Sequence, residues 1–172
     1  MASQPHTFPD DASWGSKSGL LRKVLVPLAA TSPGSWLIRT LSPVDKMVMQ
    51  KSHGRFTLLG PVGASTVLVT TIGRKSGQRR TVPLLYRRQD GHIYLVGSNF
   101  GQEHHPAWAL NLGSNPQCWV EIGGVKTEAT ATLLEGAEKD DAYEKFADEV
   151  AAYRAYRKRT DRDIRVFRLT AV

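Results

Sequence analysis

The sequence is poor in cysteine, in metal-ligand spacings and in long apolar runs. Cys118 is its one cysteine in 172 residues, which excludes an intramolecular disulfide framework. It stands in an apolar, strand-like run and reads as a reduced, buried core thiol. His104 and His105 are sequence neighbours that do not easily share one face, and no spacing of Cys and His reads as a metal site. No apolar run approaches the ~18 residues of a membrane span, and no signal-peptide pattern is present. A cytoplasmic protein is the expectation. No acid–base pair or nucleophile triad stands out, and Ser98 lacks a nucleophile-elbow context. Asp161 and Asp163 sit among arginines and read as ion-pair partners. Acidic side chains are outnumbered, 16 against 23 basic ones, for a net charge of +7. Such a surplus favours an anionic partner: nucleic acid, a lipid surface or a charged small molecule. Arg154, Arg157, Lys158 and Arg159 add to the basic surface. Yet no nucleic-acid motif or exposed aromatic platform accompanies them, so nucleic acid is not expected.

What is present is one domain's worth of chain with an ordinary hydrophobic content of 41%, enough for a packed core. The stretch from Thr70 to Tyr86 organises it. A β-branched apolar run, Val67 to Ile72, reads as a buried strand. Gly73-Arg74-Lys75-Ser76-Gly77-Gln78-Arg79-Arg80 follows, with four cations between or beside two glycines. Thr81, Val82, Leu84, Leu85 and Tyr86 then read as a second strand, which makes a hairpin with a basic tip. Two readings of that tip stand open at this point. It is either a solvated basic turn or an anion cradle built from backbone N–H groups and guanidinium forks.

Around this hairpin the chain divides into three. Residues 1–16 are polar and are expected to be a disordered tail. Residues 17–53 are basic and apolar, broken by Pro27 and Pro33-Gly34, and read as helical. They either pack on the core or lie on an anionic membrane surface. Residues 54–172 carry the strands. Phe56–Leu59 is a short one, Thr81–Arg88 the second arm of the hairpin, and His92–Gly97 the third strand of a meander closed by Asp90-Gly91. A loop, Ser98 to Glu103, leads to a helix over about 105–112 with Pro106 in its first turn. Gln117–Ile122 and Val125–Leu134 form a second hairpin across Gly123-Gly124. Glu138–Arg159 reads as one long helix, with Tyr143, Phe146, Ala147, Val150 and Tyr153 along one face. Arg165–Leu169 closes the chain as a strand. Six or seven mostly antiparallel strands with flanking helices suggest an α+β fold built on a small closed or half-closed β-barrel. Tyr153 fits the apolar helix face; Tyr156 falls at its margin, where a phenol could enter a pocket.

Four motifs in order, TTIGRKSGQRR with PLLY, GSNFGQEHHPAWALNL, NPQ with VEI, and YRAYRKRTDRDI, resemble those of the deazaflavin-dependent nitroreductases. These are actinobacterial quinone and nitro reductases that use coenzyme F-420 on a split, flavin-reductase-like β-barrel. The resemblance covers residues 45–170 or so. It implies that Arg74, Lys75, Ser76, Gly77 and Arg80 grip the phosphate and acidic tail of the cofactor. It implies that Ser98 faces the deazaflavin ring and the substrate carbonyl, within the strand-end loop Gly97-Ser98-Asn99-Phe100-Gly101. Asn99 and Phe100 depart there from the family's usual lysine and glycine. Pro106, Ala107, Trp108 and Asn111 match a segment that lines the cofactor. Tyr153 and Tyr156 match substrate-pocket tyrosines, while Val150 stands where another is often found. The implied activity is hydride transfer from reduced F-420 to a quinone, enone or nitroaromatic acceptor, with no metal. A quinone partner would give segment 17–53 a role in docking at the inner membrane face. The alternatives are a split barrel that binds flavin mononucleotide or haem, and a non-catalytic F-420 carrier.

Overall fold

A computed structural model of the chain describes residues 7–10, 47–48, 51–52 and 65–172. Segment 17–53, apart from those four residues, and the short strand expected at 56–59 lie outside the described residues. The described part is a seven-stranded, wholly antiparallel sheet with three helices. Its strands are β1 (Thr66–Ile72), β2 (Arg79–Leu85), β3 (Arg87–Gln89), β4 (His92–Val96), β5 (Gln117–Ile122), β6 (Val125–Leu133) and β7 (Val166–Ala171). The helices are α1 (Ala107–Ser114), α2 (Gly136–Glu149) and α3 (Ala152–Arg157), with a 3-10 turn at Asn99–Gly101.

The hydrogen-bonded order is β2-β1-β5-β6-β7-β4-β3. This corrects the three-strand meander. β2 pairs with β1 and β3 with β4, at opposite ends of that order, although only Tyr86 separates β2 from β3 in the chain. A sheet whose two ends are one stretch of chain has to curl round on itself, and the result is a split barrel. The expected strand 81–88 is thus two strands. The break falls at Tyr86, which is buried and donates its N–H to the Ser65 carbonyl instead of to a ladder partner. Pro83 fits β2 because a residue without an N–H is tolerated where a strand has one paired edge.

Strand alternation then sorts the side chains. Val67, Val69, Ile93, Leu95, Cys118, Val120, Ile122, Phe167 and Leu169 form the barrel interior with Trp108, Ala109 and Leu112 of α1. Phe8, within the described residues 7–10, is buried in the same core, and Arg88 donates to the Phe8 and Pro9 carbonyls. A second apolar layer lies outside the barrel, where Tyr143, Phe146, Ala147, Tyr153 and Tyr156 cover Val96 and Val166.

That second layer corrects the long helix. It breaks after Glu149. Val150 leaves helical geometry at φ −132° and ψ 88°, and the chain restarts at Ala152 as α3. No proline or glycine lies at the break, so local propensity does not cause it. Packing does: α3 turns Tyr156 onto the strand-end loop, 5.8 Å from Phe100 between ring centroids, while Tyr153 stays 4.7 Å from Phe146 of α2. The helix after the loop starts at Ala107, with Pro106 extended at its N-cap and not in its first turn.

Candidate functional site

The basic turn between β1 and β2 is tight. The Gly73 N–H reaches the Gln78 carbonyl at 2.8 Å, and the Gly77 N–H reaches the Gly73 carbonyl at 2.7 Å. A Cβ on Gly73 would stand 2.9 Å from Ser76 Oγ, so this position needs glycine for close approach. The Ser76 and Gln78 N–H groups are also spent within the turn, on the Gly73 carbonyl and on Ser76 Oγ. The N–H of Arg74 goes to Asn111 Oδ1 at 3.1 Å. Most of the backbone N–H donors expected to form a cradle are thus committed within the protein, which leaves the side chains as the turn's free charged groups. Arg74, Lys75, Ser76, Gly77, Arg79 and Arg80 are all exposed. No carboxylate among the described residues pairs with the four cations. Arg79 stacks on Trp119 at 4.0 Å, and Arg80 donates to Gln78 Oε1 at 3.1 Å.

Asn111 is buried, and its side chain spends both ends inside the protein. Its Oδ1 accepts from Arg74, and its Nδ2 donates to Thr71 Oγ1 at 3.0 Å. It holds the basic turn against α1. Trp108 is buried against Phe167, 5.9 Å between ring centroids, and belongs to the barrel core. Of the α1 residues matched by resemblance, Pro106 and Ala107 are the ones toward solvent. They stand at the N-terminal turn, where helical N–H groups lack intrahelical acceptors.

The strand-end loop meets α1 at that same turn. A Cβ on Gly97 would lie 3.4 Å from Ala109 Cβ and 3.6 Å from Pro106 Cγ. The basic turn and the loop therefore abut one helix, the loop against Pro106 and Ala109 and the turn against Asn111. Ser98 is buried at 5% exposure and shares a side-chain hydrogen bond with Tyr153. Asn99 and Phe100 take the left-handed region at φ 48° and 57°, an uncommon conformation for residues with a Cβ. Asn99 Nδ2 donates to the His104 carbonyl at 2.9 Å, and Phe100 meets Tyr156 edge-on at 5.8 Å. Gly101, at φ 77°, lies so close to α3 that a Cβ there would come within 2.8 Å of the Tyr156 carbonyl.

Tyr153 and Tyr156 pack edge-on at 5.5 Å. Tyr156 is not at a helix margin; it is buried at 5% exposure beneath the Arg159 guanidinium. The Tyr143 phenol donates to the Tyr153 carbonyl at 2.8 Å, and burial pushes its pKa up to about 12. Burial, with Tyr156 and Tyr143 nearby, also raises the Tyr153 phenol. Both phenols are therefore neutral at pH 7. Cys118 is fully buried, and burial lifts its thiol to about 12, so it is a core group and not a nucleophile.

Arg162, between α3 and β7, was not among the expected site residues. It donates to the carbonyls of Gly97, Ser98 and Gln102 and to His105 Nδ1. The sequence offered only its place in the TDRDI run, where ion pairs with Asp161 and Asp163 were the reading. Asp163 does pair, with Lys139. Burial, then Arg162 and Arg165, hold His105 below the usual histidine pKa. Among the described residues no group of three His, Cys, Asp or Glu could hold a metal ion, and no helix is long and apolar enough to cross a membrane.

The candidate site is thus a wall made by α1, with exposed cations on one side and a buried serine–tyrosine cluster on the other. The comparisons agree on what such a chain resembles. An F420H(2)-dependent quinone reductase of Mycobacterium tuberculosis is 33% identical over 127 residues, 72% of this chain and 85% of the relative. A solved F420-H2 dependent reductase is 36% identical, covering 60% of this chain and 92% of its own, with a TM-score of 0.56. A further structure, described as a domain-swapped dimer, is 31% identical, covers 80% of this chain and 99% of its own, and has a TM-score of 0.59. The family described as F420H(2)-dependent quinone reductase matches residues 44–171, and the chain belongs to that family.

Proposed function

We propose that this protein transfers hydride from reduced coenzyme F-420 to a quinone, enone or nitroaromatic acceptor. Membership of the family makes it an F-420-dependent reductase; the range of acceptors is our reading. The observation that carries it is the set of exposed cations, Arg74, Lys75 and Arg80, with no carboxylate partner among the described residues and with their turn pinned to α1 through Asn111. A phosphodiester with an oligoglutamate tail is multiply negative, and flexible side-chain cations at a fixed turn suit it. The residues present therefore fit the cofactor. Lys75, Arg74 and Arg80 would hold its charged tail, Ser76 and Gly77 would shape the turn, and the exposed start of α1, Pro106 and Ala107, would approach its phosphate or ring.

When bound, F-420 in its reduced form supplies the hydride. The chain's own part is binding, orientation and proton placement. Ser98 and Tyr156 are the donors we assign to the acceptor oxygen as negative charge develops there. Tyr153, hydrogen-bonded to Ser98 and kept neutral by burial, orients the serine hydroxyl. Phe100, packed on Tyr156, keeps water from that side. Asn99, held to the His104 carbonyl, shapes the loop where the family's lysine is missing. Trp108 and Asn111 support the wall from within. Segment 17–53 we assign to an anionic membrane face, where lipid-like quinones reside.

The test is a fluorescence titration with oxidised F-420 beside one with flavin mononucleotide, followed by turnover of reduced F-420 with menadione. Saturable F-420 binding and menadione-dependent oxidation are expected. Absence of turnover with a panel of quinones, enones and nitroaromatics would refute the reading.

A further inference from the structure

We propose that Arg162 is the positioning residue that sets Ser98 for the reductase reaction, one guanidinium clamping both ends of the loop from Gly97 to His105. The inference rests on the reading of Ser98 as a donor to the acceptor oxygen. At the entry to the loop, Arg162 Nη2 donates to the Gly97 carbonyl at 3.2 Å and to the Ser98 carbonyl at 3.0 Å. At its exit, Nε donates to the Gln102 carbonyl at 3.2 Å and Nη1 to His105 Nδ1 at 2.7 Å. No carboxylate among the described residues is in salt-bridge contact with this guanidinium, and Glu103 and Asp163 act on its charge only from farther off. Half-burying an arginine against neutral acceptors sacrifices hydration without gaining an ion pair. An exposed arginine with no structural task would stay in water.

The task is visible in the backbone. Asn99 and Phe100, both in the left-handed region, lie between the two clamped ends. Such residues persist where surrounding contacts over-determine them. The Gly97 N–H is fixed separately, at 2.8 Å from the Arg165 carbonyl. Ser98 thus has its carbonyl held by Arg162, with its side chain beside the Tyr153 phenol. The clamp also defines His105. Nδ1 accepts from Arg162, so the imidazole is neutral with its proton on Nε2. Arg162, Arg165 and Asp163 are the charges that act on it, and burial with the two arginines outweighs the aspartate.

The experiment compares Arg162→Gln, Arg162→Lys, Ser98→Ala and the Ser98→Ala/Arg162→Gln double variant. Turnover of reduced F-420 with menadione, F-420 affinity by fluorescence, thermal melting, and imidazole nitrogen NMR are measured on each. We expect kcat to fall by about 10- to 100-fold in Arg162→Gln, with F-420 affinity and menadione KM within about threefold. Arg162→Lys should recover part of the loss, since one ammonium reaches fewer of the four acceptors. The double variant should be no slower than the slower single one. NMR should show the Nε2-protonated tautomer of His105 in the unaltered protein and a tautomer mixture in Arg162→Gln. Wild-type kcat in a folded Arg162→Gln, multiplicative losses in the double variant, or a proton on His105 Nδ1 in the unaltered protein would each overturn the clamp. A silent Ser98→Ala overturns the reading of Ser98 and the clamp's purpose with it, whereas a slow Ser98→Ala beside a fast Arg162→Gln overturns the clamp alone. Should Arg162→Gln not fold, Arg162→Lys and the His105 tautomer of the unaltered protein decide the matter.

Discussion

The two sides of the molecule treat positive charge in opposite ways. On the helical side, cations meet carboxylates. Arg157 pairs with Glu144 at 3.0 Å, Arg168 with Glu138 at 2.6 Å, Arg87 with Glu149 at 2.8 Å, and Arg154 with Asp148. On the hairpin side, Arg74, Lys75 and Arg80 meet none among the described residues. Exposed pairs of the first kind contribute about 0–1 kcal/mol each, because water screens them and ordering two long side chains costs entropy. The lesson is that net charge by itself does not locate a binding site. The unpaired part of it narrows the search, and among the described residues the β1–β2 turn is the stretch where exposed cations without a carboxylate partner crowd together.

The sharpest way to break this contrast is at the turn. Lys75→Ala with Arg80→Ala should loosen F-420 binding on the order of 100-fold in low salt, from roughly tenfold per charged contact. The loss should shrink as salt rises, since the screening length falls to about 10 Å at 0.1 M. A fluorescence titration at two ionic strengths measures both. Unchanged low-salt affinity would mean that the charged tail lies elsewhere. Next, Tyr156→Phe should lower kcat with menadione on the order of tenfold while F-420 affinity stays within about threefold; steady-state kinetics separate the two. Arg157→Ala, on the paired side, should leave F-420 affinity within about twofold and cost under ~1 kcal/mol in a urea melt. A large affinity loss there would erase the distinction between the sides.

The smallest effect is acid-dependent. His105 has its pKa lowered from 6.5 in the folded protein. The unfolded chain therefore takes up this proton first as pH falls. Its contribution is complete above about pH 6.5 and is lost as pH drops below it. Thermal melting at pH 7.5 and 5.5 should show a decline, and His105→Gln should lessen it.

Much of the hairpin framework was readable. Val67–Ile72, Gln117–Ile122 and Val125–Leu134 were located to within a residue or two because alternation and turn residues are local signals. The division of 79–89 into β2 and β3 was not readable, since the run is continuous and its two halves differ only in which distant strand each meets. The helix break at Val150 was hidden for a similar reason: Tyr143, Phe146, Val150 and Tyr153 keep helical spacing across it. The basic turn was legible in its two glycines and four cations, and the order of four motifs added the expectation that it and the strand-end loop serve one ligand. Arg162 was missed because its partners are mostly backbone carbonyls far away in sequence, which leave no mark on side-chain pattern.

The sequence by itself determined the cationic turn, the alternating strands and the buried, unreactive place of Cys118, because charge, period and turn chemistry act over a few residues. Tertiary structure alone decided that Asn111 would pin the turn to α1, that Tyr153 would reach Ser98, and that Arg162 would close the loop. Those contacts join residues 37 to 65 positions apart. Their geometry exists only once the sheet has curled and brought both of its ends onto one stretch of chain.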